Sequence, residues 1–146
     1  MQNIMFFINA NTMLVSIWFF FLILVVFFTL KSFFLKAEII NTIKAIKLIN
    51  QDNAIIIDTR SLDLFQKGHI INSINIPLDS IFLGSIKELE EYKLLPIILI
   101  IDQTQKYNKC AQEFLKHGFN RIYILKNGIY YWNIENLPLS VTDKKS

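Results

Sequence analysis

Two different patterns of apolar and polar positions run along this chain. The stretch MLVSIWFFFLILVVFFTL, Met13 to Leu30, is apolar on every face of a helix, and no Lys, Arg, Asp or Glu precedes Lys31. At ~1.5 Å per residue it spans about 27 Å, close to the roughly 30 Å hydrocarbon core of a bilayer. A soluble fold would have to bury such a helix all round, and the rest of the chain is too short to do so. The preceding IMFF can extend it. A cleaved leader is the competing reading, but the basic start, short apolar core and small-residue cleavage site of a leader are missing. The pattern therefore predicts a membrane anchor over residues 1–35, with one transmembrane helix at about 13–30. Lys31, Lys36, Lys44 and Lys47 all flank its C-terminal side, which places the N-terminus outside and the following domain in the cytoplasm.

Beyond the anchor, apolar runs alternate with amphipathic stretches, as in a parallel sheet covered by helices. EII is a short first strand. NTIKAIKLINQ is a helix with Asn41 or Thr42 as N-cap and Ile43, Ile46 and Ile49 on its apolar face. AIIID, PIILII and RIYIL are strands whose continuous branched apolar residues suit burial on both faces. SINIP is a short strand ended by Pro77. Helical stretches are SLDLFQKG, stopped by Gly68; SIKELEEYKLL; NKCAQEFLKHG, with Gly118 as C′ residue; and a last turn in GIYYWNIENLPL. Residues 36–146 thus form one α/β domain.

Charge and composition narrow the chemistry. The 15 basic and 12 acidic side chains give a net charge of +3 without any basic run, so nucleic acid is not expected as a partner. The single cysteine makes no internal disulfide, and no Cys/His cluster has metal-ligand spacing, so neither metal nor other cofactor is expected.

Two separated signatures then carry a family resemblance. In IIIDTRSLDLFQKGHIINSINIP these are Asp58, Arg60, Gly68, His69, Ile70 and Pro77; further on they are Gly118, Phe119, Gly128, Trp132, Leu137 and Pro138. In this order they resemble the rhodanese homology domain over roughly residues 38–139. The anchor in front is similar to single-pass rhodanese-like proteins of bacterial inner membranes. The resemblance implies a central parallel sheet flanked by helices. Asp58, Arg60, Gly68 and His69 read as structural: an ion pair or carboxylate-to-amide bonds fixing the loop after a strand, a glycine permitting a turn, and a histidine bonding to nearby backbone.

The pattern breaks where the chemistry belongs. Active members of the family end the strand equivalent to PIILII in a cysteine that carries sulfur as a persulfide, inside a glycine-containing loop whose amides stabilise the thiolate. Here Asp102 holds that place and the loop QTQKYNK has no glycine. A carboxylate there is a candidate acceptor for the loop's N–H groups. Cys110, early in the next helix, is the one alternative nucleophile, given an exposed thiol and a helix N-terminus to lower its pKa. No catalytic residue is therefore expected, and the domain reads as a catalytically silent protein-binding or scaffold module. A tethered sulfurtransferase using Cys110 is the alternative.

Overall fold

The computed structural model describes residues 2–34 and 37–142. Lys36, one of the four lysines in the orientation argument, lies outside them. The chain divides into two compact units, Met1–Leu35 and Lys36–Ser146.

The first unit holds two helices, α1 (Gln2–Ala10) and α2 (Thr12–Phe34), where the sequence predicts one. Within α2, Thr12–Leu30 is long and apolar enough to cross a membrane, with a mean hydropathy of 2.8 and no buried residue. Its hydroxyls are satisfied inside the helix: Ser16 Oγ donates to Thr12 O at 2.8 Å and Thr29 Oγ1 to Val25 O at 2.7 Å.

The second unit has a five-stranded sheet in the order β1-β6-β5-β2-β4, from Glu38–Ile40, Ile122–Leu125, Ile97–Ile100, Ile55–Asp58 and Ile74–Asn75, every pair parallel. Because successive side chains point to opposite faces, the isoleucine-rich strands feed two cores. Ile57, Leu99 and Ile124 face one helical layer, and Ile56, Ile98 and Leu125 face the other. The second layer holds α3 (Thr42–Asp52) and α7 (Gly128–Ile134); the first holds α5 (Leu78–Phe82), a 3-10 helix (Ser85–Tyr92) and α6 (Tyr107–Lys116). A short α4 (Leu62–Lys67) leads into β3 (His69–Ile70), which pairs antiparallel with β7 (Leu139–Ser140).

Helix ends follow local chemistry. Asn41 caps α3, its Oδ1 accepting from Lys44 N at 2.9 Å. At the end of α6, Gly118 has φ +90, its N–H bonds Leu115 O, and Phe119 N–H bonds Phe114 O, which is the Schellman pattern. The rings of Phe114 and Phe119 meet edge to face at 5.4 Å and complete the motif with its hydrophobic contact.

Several expectations are corrected. SIKELEEYKLL is 3-10 rather than α-helical, and α5 ahead of it begins right after Pro77, so that proline opens a helix as well as closing a strand. Ile43 is 75% exposed; Ala45 and Leu48 carry the buried face of α3 with Thr42. Gly68 has φ 166, extended backbone open to any residue, so no special turn requires it. Phe114→Ala, which empties the centre of the first core, should lower the unfolding free energy of the Lys36–Ser146 unit by about 3–5 kcal/mol. Ile43→Ala should change it by less than about 0.5 kcal/mol. Urea denaturation of both variants checks the pair.

Candidate functional site: a charged cleft at the strand ends

Strands β2 and β5 lie side by side with Asp58 opposite Ile100, so the segments that follow them emerge at the same end of the sheet. Thr59 is tied across the gap, its N–H and its Oγ1 both donating to Ile100 O at 3.0 and 2.8 Å. Between the segments opens a cleft of about 310 Å³, lined by Thr59, Arg60, Ser61, Pro77, Asp79, Asp102 and Lys106 among others.

Its floor is an ion pair. Asp58 is fully buried and the Arg60 side chain is 7% exposed. Arg60 Nε reaches Asp58 Oδ1 and Oδ2 at 3.0 and 3.1 Å, and Nη2 reaches Oδ2 at 2.7 Å. The same carboxylate accepts the Arg60 backbone N–H at 3.0 Å, and Nη2 donates on to Gly68 O at 2.8 Å. Asn75 Nδ2 holds the carbonyls of Asp58 and Arg60 at 3.0 and 2.9 Å. A pair this buried is costly to desolvate and more costly to break, since removal of one member strands the other's charge. The guanidinium is thereby committed to Asp58, and Asp79, Asp102 and Lys106 set the charge of the cleft wall.

Asp102 stands at the end of β5, two residues past Ile100, and is exposed. No hydrogen bond from the loop reaches it among the described residues. The reason lies in the loop itself. Thr104–Lys106 forms a 3-10 turn in which Lys106 N–H bonds Gln103 O and Tyr107 N–H bonds Thr104 O, so two of the loop's amides are already used internally. α6 begins at Tyr107, which leaves four residues after Asp102 instead of the seven read from the sequence. The carboxylate leans the other way, and Oδ1 would lie 3.3 Å from a Cβ at position 128. Gly128 also has φ +53 and follows Asn127 at φ +56. A side chain at 128 would crowd Asp102 and strain the backbone.

Partial burial raises the Asp102 pKa above the usual carboxylate value, with Arg60 pulling it down and Asp58 pushing it up. A raised folded pKa means that the fold loses stability as pH rises through the carboxylate range. Asp102→Asn should therefore stabilise the domain at neutral pH, with the gain vanishing in acid below the unfolded carboxylate pKa. Chemical denaturation across pH checks the sign.

The other predicted residues scatter around this cleft. His69 is buried, stacks on Phe65 at 3.8 Å between ring centroids, and bonds Phe65 O through Nδ1 at 2.8 Å; the carbonyl makes Nδ1 the donor. Trp132 packs in the second core with Nε1 donating to Pro138 O at 3.3 Å, beside an apolar groove of about 320 Å³ lined by Ile46, Ile49, Ile70, Leu137 and Pro138. Cys110 is 0% exposed, packed with Ala111 and Phe114 in the first core, and burial pushes its thiol up to about 12. Burial outweighs any field from the helix N-terminus, and the exposed thiol required for a relocated nucleophile is absent. Sequence reasoning missed Asp79, Lys106 and Asn75. Asp79 lies two residues past the signature's final Pro77, and Asn75 is the polar residue inside SINIP.

The rhodanese-like domain family model matches residues 42–135. The chain belongs to the rhodanese-like family. An uncharacterised protein, BU052, of Buchnera aphidicola subsp. Acyrthosiphon pisum is 56% identical over 144 residues, covering 99% of this chain and all of that protein. YibN of Escherichia coli K12 is 36% identical over 139 residues, covering 95% of this chain and 97% of that one. Among solved structures, the BH2092 protein of Bacillus halodurans superposes with a TM-score of 0.59 at 26% identity, covering 78% of this chain and 82% of that chain. A thiosulfate sulfurtransferase of Pseudomonas aeruginosa shares the fold, with a TM-score of 0.58 at 20% identity over 72% of this chain and 20% of that one.

The rhodanese-like unit should keep its thiol closed. Cys110 should react with a maleimide at least about tenfold more slowly in the native protein than in denaturant, read by mass shift.

Proposed function

We propose that this chain is a membrane-anchored, catalytically silent rhodanese-like domain that acts as a protein-binding or scaffold module at the cytoplasmic face of a bacterial inner membrane. The observation that carries the reading is Asp102. It occupies the end of β5, where the resembling active enzymes place their persulfide cysteine, and the glycine-free loop beside it bonds to itself. A fixed carboxylate cannot accept sulfane sulfur, and with Asp79 it repels anionic donors at the mouth of the cleft. What remains is a rigid concave surface with acidic groups and Lys106 at its rim, suited to a protein partner carrying basic side chains.

The anchor rests on the apolar Thr12–Leu30 helix, and the orientation on the lysines after it. Nucleic acid is not part of this reading, and neither is a metal or other cofactor. The second reading, a tethered sulfurtransferase that loads Cys110, needs the first core to open before the thiol meets a donor, and the burial of Cys110 counts against it.

A photocrosslinking amino acid at Gln103, beside the cleft in the full-length chain in its own membrane, tests the binding role. The expected result is a discrete protein adduct that weakens several-fold when Asp79→Lys and Asp102→Lys reverse the charge of the rim. An adduct pattern unchanged by both substitutions, or none above a probe on exposed Glu88, would remove the cleft as the binding surface.

A further inference from the structure

The membrane-anchored reading leaves α1 without a place, because α2 fills the bilayer on its own. Thr12–Leu30 is 19 residues, about 28 Å at ~1.5 Å per residue against a core of roughly 30 Å. The 9 residues of α1 carry no charge. If α1 and α2 were one rod crossing the membrane, residues 2–30 would measure roughly 44 Å and need a tilt of about 45°, beyond the common ~20° and the observed limit of ~40°.

The backbone is not one rod. The helices are separate elements that meet at Asn11, a turn residue whose N–H and Nδ2 both donate to Phe7 O, at 3.1 and 3.2 Å. Asn9, Asn11 and Thr12 gather polar groups at this junction, at the end of the apolar run where the headgroup region begins. Around α1, at ~100° per residue, Gln2, Asn3, Asn9 and Ala10 fall on one side, with Phe6 among them, and Ile4, Phe7 and Ile8 fall on the other. Ile4 and Phe7 are 65% and 62% exposed, and nothing in α1 is buried.

We propose that α1 is an interfacial helix lying along the outer face of the bilayer, with Ile4, Phe7 and Ile8 set into the acyl boundary and Gln2, Asn3 and Asn9 in water. The occupant of its apolar face is the lipid surface itself, because the junction at Asn11 tethers α1 within about 14 Å of the end of the span. Lacking charge, α1 uses apolar burial rather than attraction to anionic headgroups, so neutral lipid suffices. The inference rests on the membrane-anchored reading.

The test uses the full-length protein in phosphatidylcholine vesicles, with single cysteines at Gln2→Cys, Asn9→Cys, Ile4→Cys and Ile8→Cys and an impermeant maleimide. The unsubstituted protein, carrying only Cys110, supplies the background. The expected result is labelling at positions 2 and 9 at least tenfold faster than at 4 and 8. Equal fast labelling at all four would overturn the proposal by placing α1 in water, and equal protection would overturn it by burying α1 in hydrocarbon or protein. Vesicle flotation separates the two levels: protein that stays behind when the vesicles float removes the anchor reading, and this proposal with it.

Discussion

The buried pair of Asp58 and Arg60 is the constraint on which the candidate site depends. One carboxylate at the end of β2 accepts the following backbone N–H and two arms of a guanidinium, and the third link of that fork reaches Gly68 O. The segment from β2 through α4 to β3 is thereby stitched to a single strand end, and Asn75 joins β4 to the same point. An ion pair replaced by apolar residues of equal volume often costs little, but a member removed alone leaves an unpaired buried charge. The geometry is better explained by specification of one loop conformation than by net stability. It also accounts for a family signature that persists without a nucleophile: these residues hold the wall of the cleft, whatever the cleft does.

Against that wall, the first core decides the fate of sulfur chemistry. The helix after β5 presents Cys110, Ala111 and Phe114 inward, and the Schellman turn at Gly118 with the Phe114–Phe119 contact locks the rotation of that helix. Exposing Cys110 would rotate Phe114 out of the same core, so the thiol and the large aromatic are coupled by helical periodicity. The relocated nucleophile fails on packing rather than on distance from the cleft.

The strands were legible in the sequence because runs such as AIIID and PIILII have one reading at that length, and the two signatures fixed their order. Asn41, Gly118 and Asp102 lie where local chemistry predicts. Other features depend on context that periodicity does not carry. Ile43 matches the apolar spacing of α3 but lies outside the contact, because the sheet is met by the smaller Ala45 and by Leu48. SIKELEEYKLL has helical spacing but winds as 3-10, and no residue in it announces this. The turns were partly disguised by composition. With four glycines in the whole chain, four asparagines take positive φ at Asn53, Asn72, Asn127 and Asn136, and asparagine tolerates that region better than other non-glycine residues. Asn127 in particular takes up the left-handed conformation that a second glycine before Gly128 would adopt.

The central claim is that the rhodanese fold remains while its sulfur chemistry is gone, and the intact mass of the full-length protein after incubation with thiosulfate, and separately with a small-molecule persulfide, tests it most directly. The account predicts an unchanged mass with both donors. A gain of one sulfur atom mapped to Cys110, and discharged to cyanide or a thiol, would contradict it and make this chain a sulfurtransferase.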